Sequence, residues 1–128
     1  MGYNGHNRAV GRKGEDLACI HLMELGHTIL ERNWRSGHLE IDIISLDRNG
    51  IHFVEVKSRL SEEGETSPEE SVTRKKQMKL YEAARRYLAG KRYVLSGERE
   101  CHFDVVSVLL GRESTVINSF PDAFFPGI

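Results

Sequence analysis

The 128-residue chain has no apolar run approaching the roughly 20 residues needed to cross a bilayer, so no helical membrane span is expected. Met1 to Lys13 is polar and glycine-rich and lacks the apolar stretch of a secretory leader, which makes the cytoplasm the expected location. Cysteine is scarce. Cys19 and Cys101 lie far apart in apolar surroundings, with no CxxC pair and no His/Cys cluster at zinc spacing. That excludes a disulfide-rich scaffold or a zinc finger. A Cys19–Cys101 disulfide stays formally open, but two buried free thiols are the expected state. The six histidines are scattered and read as surface or packing residues, with only His38 and His52 near the candidate site described below. Charge of one sign is also lacking: 18 Lys and Arg against 19 Asp and Glu give a net −1. Indiscriminate binding to a polyanion is therefore not expected, because phosphate contacts need cations.

What is present is an ordinary soluble composition, 39% apolar and 29% charged. The length suits a single domain spanning 1–128, with tails at 1–7 and 121–128. The charge is uneven. Glu62, Glu63, Glu65, Glu69 and Glu70 form an acidic run within a polar loop at 60–70 that reads as mobile. Arg74, Lys75, Lys76, Lys79, Arg85, Arg86, Lys91 and Arg92 then follow against Glu82 alone, and Arg8, Arg12 and Lys13 add a basic N-terminus. Such a stretch is either a solvated helix face or a local phosphate-binding face.

Apolar spacing predicts a helix over 8–25, with Val10, Gly14, Leu17, Ala18, His21, Leu22 and Leu25 on one stripe, Glu15 at its edge and Gly26 as the stop. An extended segment follows at 28–34. Residues 38–46 alternate, with Leu39, Ile41 and Ile43 facing one way and Glu40, Asp42 and Ile44 the other. Asp47-Arg48-Asn49-Gly50 is a turn, and 51–59 forms the partner strand, with Ile51, Phe53, Glu55 and Lys57 on one face. Ser71 or Thr73 caps a second helix that runs to about Ala89 on a stripe of Met78, Tyr81, Ala84, Tyr87 and Leu88. Strands at 101–110 and 114–120 close an α-β-β-β-α-β-β order. Phe124 and Phe125 are expected to fold back on the core, an exposed dimer contact being the alternative.

The hairpin carries the chemistry. Glu55 and Lys57, two residues apart, project from one face, and the turn brings Asp42 level with Glu55. Two carboxylates and an ammonium among Ile41, Ile43, Val54 and Val56 are costly to place. Adjacent carboxylates repel unless a cation lies between them, and hard oxygen ligands suit Mg²⁺ or Mn²⁺. Lys57 can then position a water or neutralise charge on a phosphate. These are the parts of a phosphodiester hydrolase; surface salt bridges on a solvent-facing sheet are the plainer reading. Asp104 could join the site, though a structural hydrogen bond suits it better. Trp34 and Arg35 could stack on a base, but a single Trp is more often core.

The segments GRKGEDLA (11–18), LEIDII (39–44), FVEVKSR (53–59), VTRKKQ (72–77) and FDVVSV (103–108) resemble the YraN-like family, also called uncharacterised protein family 0102, from about Gly11 to Phe120. That family is similar to the archaeal Holliday-junction resolvases of the restriction-endonuclease-like, PD-(D/E)xK, superfamily. The resemblance implies an α/β fold with a mixed sheet of about five strands flanked by helices. It also implies that Asp42 and Glu55 hold a metal with the Val56 carbonyl as a backbone ligand, and that Lys57 is the signature lysine. Glu15 matches the first-helix glutamate that assists metal or water, and Lys75 or Lys76 a basic position opening the next helix. Ile41 replaces the signature proline. The expected function is a Mg²⁺- or Mn²⁺-dependent endonuclease acting on DNA, branched or structured DNA being suggested by the resolvases. Arg12, Lys13, Arg74, Lys75, Lys76 and Lys79 would contact the nucleic acid, and a homodimer would supply two symmetric cuts. The competing readings are a non-catalytic nucleic-acid-binding module and, more remotely, a protein-binding adaptor using the aromatic tail.

Overall fold

The turn at Asp47–Gly50 forms as its residues dictate. Asp47 pairs with Gly50 across the hairpin, the Asn49 N–H donates to Asp47 Oδ1 at 2.8 Å, and Gly50 has a φ of 133°. A Cβ at Gly50 would also lie 2.2 Å from the Glu100 carbonyl oxygen, so only glycine fits. In this computed structural model, which describes residues 2–61, 72–91 and 99–125, the turn joins two members of a five-stranded sheet.

The elements are α1 (Gly2–Glu24), β1 (Thr28–Ser36), β2 (Leu39–Asp47), β3 (Gly50–Leu60), α2 (Arg74–Lys91), β4 (Cys101–Leu110) and β5 (Thr115–Phe120), in the predicted order. The strands lie side by side as β1-β2-β3-β4-β5. All neighbours are antiparallel except β3 and β4, which run parallel and are joined across the sheet by α2. α1 ends where Gly26, at φ 98°, turns left-handed: the His27 N–H reaches the Leu22 carbonyl and the Gly26 N–H that of Met23. α2 begins at Thr73, whose Oγ1 accepts from the Lys76 N–H at 3.2 Å. Removing that cap with Thr73→Ala is expected to cost about 1 kcal/mol, read as a shift in the urea midpoint at unchanged slope.

Each helix seals one face. Phe53, Ile44, Ile51, Phe103 and Val105 pack beneath Leu80, Ala83, Ala84 and Tyr87 of α2. Ile43, Val54, Val106 and Val108 pack beneath Ala18, Cys19 and Leu22 of α1. Phe53 is fully buried, and burying such a side chain is worth roughly 1.5–3 kcal/mol.

Several expectations change. α1 starts at Gly2 rather than at 8, since no proline interrupts it. Leu25 is exposed, at the residue before the Gly26 turn. The buried stripe of α2 is Leu80, Ala83, Ala84 and Tyr87; Met78 faces solvent, because the stripe is phased on Leu80. Ile41 does not share a face with Ile43 but packs with Ile44 beneath α2. The alternation breaks because Asn33 of β1 takes a φ of 50°. Pairing passes from Arg32–Ile43 to Trp34–Ile41 without including Asn33 and Asp42 between them. Cys101, as the first residue of β4, is exposed rather than buried; both cysteines are free. Of the tail aromatics, Phe124 packs into the core and Phe125 is exposed. The acidic run and the 60–70 loop fall, apart from Leu60 and Ser61, outside the described residues.

Candidate active site

Asp42 sits at the break in β2, and β3 presents Glu55 and Lys57 beside it. β2 and β3 pair as far as Ile43 and Val54, and just beyond that pair Asp42 Oδ2 accepts the Val56 N–H at 2.8 Å. Lys57 Nζ lies 3.6 Å from Glu55 Oε1. The hairpin therefore sets Lys57 against Glu55 and Glu55 near Asp42. Asp42 and Glu55 border a cleft of about 250 Å³ between the end of the hairpin and α2, lined also by His38, Leu39, Glu40, Lys76, Lys79 and Leu80.

The electrostatics are strained in one direction. Burial pushes the Asp42 carboxyl well above the ordinary carboxylate range; the Glu55 charge adds to this, with smaller contributions from Glu15 and Glu40, and the Val56 N–H opposes it. Burial likewise raises Glu15, against a hydrogen bond from Asn33 and the charge of Arg32. Lys57 is lowered by burial and by Lys76, with Glu55 pulling the other way. The raised acid thus stands beside a second carboxylate whose charge opposes its ionisation. The donors fit a hard divalent ion: carboxylate oxygens at one end of a cleft that still admits water. Val56 lies on β3 between the acid and the lysine, where its carbonyl would be a further oxygen donor.

Other predicted residues are distributed unequally. Lys76 and Lys79 line the cleft, and Lys76 reaches Lys57. Arg74 and Lys75 are exposed in the first turn of α2. Arg12 and Lys13 are exposed on α1, with Lys13 bordering a different depression together with Leu60 and Arg112. Arg85 and Arg86 are occupied by Glu82, which they hold down at about 2. Asp104 is structural: it accepts from the Asp122 N–H at 2.9 Å and binds His52. Trp34 packs edge-on against Tyr87 and belongs to the core. His38 lines the cleft, whereas His52 lies towards the turn end of β3.

Asn33 and Glu40 went unrecognised in the sequence. The signal for Asn33 was available: asparagine is poor in strands and tolerant of positive φ. Glu40 could be found only from the fold, because it approaches the cleft across the break at Asp42.

A five-stranded mixed sheet with α1 and α2 on its two faces, and an acid–acid–lysine set on its central hairpin, defines a restriction-endonuclease-like α/β domain. Residues 14–108 match the model of uncharacterised protein family UPF0102, and the chain belongs to that YraN-like family. It is 41% identical over 116 residues to a UPF0102 protein of Nitratidesulfovibrio vulgaris (strain DP4), covering 91% of this chain and 84% of that one. A UPF0102 protein of Chlorobium chlorochromatii is 46% identical over 100 residues, covering 77% and 73%. One of Chlorobium limicola is 39% identical over 131 residues, covering 98% and 97%.

Proposed function

We propose that this protein is a Mg²⁺- or Mn²⁺-dependent endonuclease that hydrolyses phosphodiester bonds in DNA, with branched or structured DNA as the favoured substrate. The observation that carries this reading is the raised Asp42 carboxyl beside Glu55, a repulsion that a bound dication would relieve. Asp42, Glu55 and the Val56 carbonyl would hold the ion. When bound, it would supply Lewis acidity and a more acidic water.

The protein's own groups divide the remaining work. Lys57, with its lowered pKa, would hold the attacking water or donate to a non-bridging phosphate oxygen as charge builds there. Glu15, held by Asn33, would accept a hydrogen bond from that water. Lys76 and Lys79 would orient the phosphate backbone along the cleft, helped by the positive end of α2. A homodimer would provide two such clefts for symmetric cuts.

The test is incubation with Mn²⁺ and a panel of duplex, single-stranded, flap and four-way-junction DNAs, with Lys57→Ala to expose contaminating nuclease. Cleavage by the wild type that Lys57→Ala loses is the expected result. DNA binding without cleavage on any substrate would leave the non-catalytic module. Independently, Lys76→Glu with Lys79→Glu is expected to weaken duplex binding and to reduce the slope of log affinity against log salt by roughly 2. An unchanged slope would remove α2 from the interface.

A further inference from the structure

At the opposite end of the hairpin from the carboxylate cleft, we infer a second metal site, formed by His27, Asp47 and His52 and suited to a borderline first-row dication such as Zn²⁺. One ligand atom from each of these residues lies within 4.8 Å of the other two. His52 Nε2 is 2.8 Å from Asp47 Oδ1, and His27 Nε2 is 3.5 Å from Asp47 Oδ2. Ligand atoms about 2.0–2.1 Å from a tetrahedral zinc stand about 3.3 Å from one another, so small side-chain adjustments would close the set.

The outer partners argue for a metal rather than a simple hydrogen-bonded cluster. A ligating histidine almost always has its second ring nitrogen held by a carboxylate, carbonyl or other polar group, which fixes the ring and its tautomer. Both rings satisfy this. His52 Nδ1 is 2.6 Å from Asp104 Oδ2, and His27 Nδ1 is 2.8 Å from Ser45 Oγ. Ser45 and Asp104 are themselves buried, and Asp104 is fixed in turn by the Asp122 N–H. The two Nε2 atoms thus converge on one carboxylate, with their orientation already set.

The third histidine does not join. His102 stacks on His52 but is engaged through both nitrogens, with Asp122 and the Asn49 carbonyl. Three protein ligands leave the fourth position of a tetrahedron for water. Asp47 lies at the turn and is the most exposed of the three, which gives the ion a route in. The donors differ in kind from those of the cleft. Two imidazoles and one carboxylate favour Zn²⁺, whereas the cleft's oxygens favour Mg²⁺ or Mn²⁺. The site would tie His27, the residue just before β1, to the facing ends of β2 and β3.

Calorimetric titration with Zn²⁺ tests the site, on the wild-type protein, on His27→Gln, on Asp104→Asn, and on the Asp42→Asn/Glu55→Gln double variant. Wild type and double variant should each take up one high-affinity Zn²⁺ in the presence of excess Mg²⁺. His27→Gln should lose at least about tenfold in affinity while keeping its far-UV circular dichroism, and Asp104→Asn should lose 10–100-fold through misorientation of His52. Co²⁺ should give tetrahedral visible bands in wild type that His27→Gln lacks. No stoichiometric uptake by wild type, or uptake unaltered in folded His27→Gln, would overturn the assignment. Loss confined to the double variant would show that Zn²⁺ binds in the carboxylate cleft instead.

Discussion

Asp42→Asn should abolish the proposed DNA cleavage, by about 10³-fold or more, and at the same time make the metal-free protein more stable. The two effects have one cause. Asp42 is buried beside Glu55, and the folded state holds its proton more tightly than the unfolded chain, whose carboxyl titrates near 3.8. The folded-state pKa is the higher of the two. The associated stabilisation is therefore complete below the unfolded value and is lost as pH rises through the raised folded value. Above that raised value the wild type has lost it, and the uncharged amide of D42N escapes the loss while still able to accept the Val56 N–H. A gain of about 1 kcal/mol is expected, the scale usual when a functional compromise is removed. For a chain of this length that raises Tm by about 4 °C. Scanning calorimetry with chelator present measures it, and Mn²⁺ should reverse the ranking by stabilising wild type alone. A D42N protein that melts below wild type in chelator would mean that Asp42 is an ordinary structural carboxylate.

Gly14→Ala should have the largest effect on stability of any single methyl added to α1. A Cβ at Gly14 would lie 1.6 Å from Ser58 Oγ and 2.6 Å from Ser58 Cβ. Rotating the hydroxyl relieves the first contact but not the second, so α1 must lift from β3. Overpacking of this kind costs about 1–3 kcal/mol, partly offset by alanine's better helix propensity. A net loss near 2 kcal/mol, or about 7 °C in Tm, is expected. Ser58 adjoins Lys57 and Gly14 adjoins Glu15, so the displacement should also weaken Mn²⁺ binding. Gly11 supplies the control: a Cβ there meets nothing within 4 Å, and Gly11→Ala should stabilise by several tenths of a kcal/mol. Ser58→Gly should rescue Gly14→Ala; a G14A protein as stable as wild type would show that the helix does not depend on this contact.

The acid–acid–lysine cluster was legible in the sequence because one local feature fixes it. A two-residue turn sets the hairpin register up to Ile43 and Val54, and a hydrogen bond from the Val56 N–H fixes Asp42 just beyond it. Helical phase likewise put Glu15 at the edge of the packed stripe of α1, where it is half-buried. The face of Ile41 was misread because simple alternation has no place for a left-handed Asn33 on the neighbouring strand. Met78 was placed on the wrong side because Leu80 sets the phase of α2. The cluster of His27, Asp47 and His52 had no sequence signal at all. Its members come from the connection between α1 and β1 and from two strands, and only the folded sheet makes them neighbours.

The one parallel pairing in the sheet also imposes an order of events on folding. β1, β2 and β3 follow one another through tight turns, so their contacts close early and at small entropic cost. β3 meets β4 only after the chain has travelled from Leu60 through α2 to Cys101. Non-local closure of that kind is slow. The mutually repelling acids thus belong to the half that can assemble first, whereas Lys76 and Lys79 arrive with the later crossover. A nascent chain would accordingly hold Asp42 beside Glu55 before the helix that carries Lys76 and Lys79 has docked.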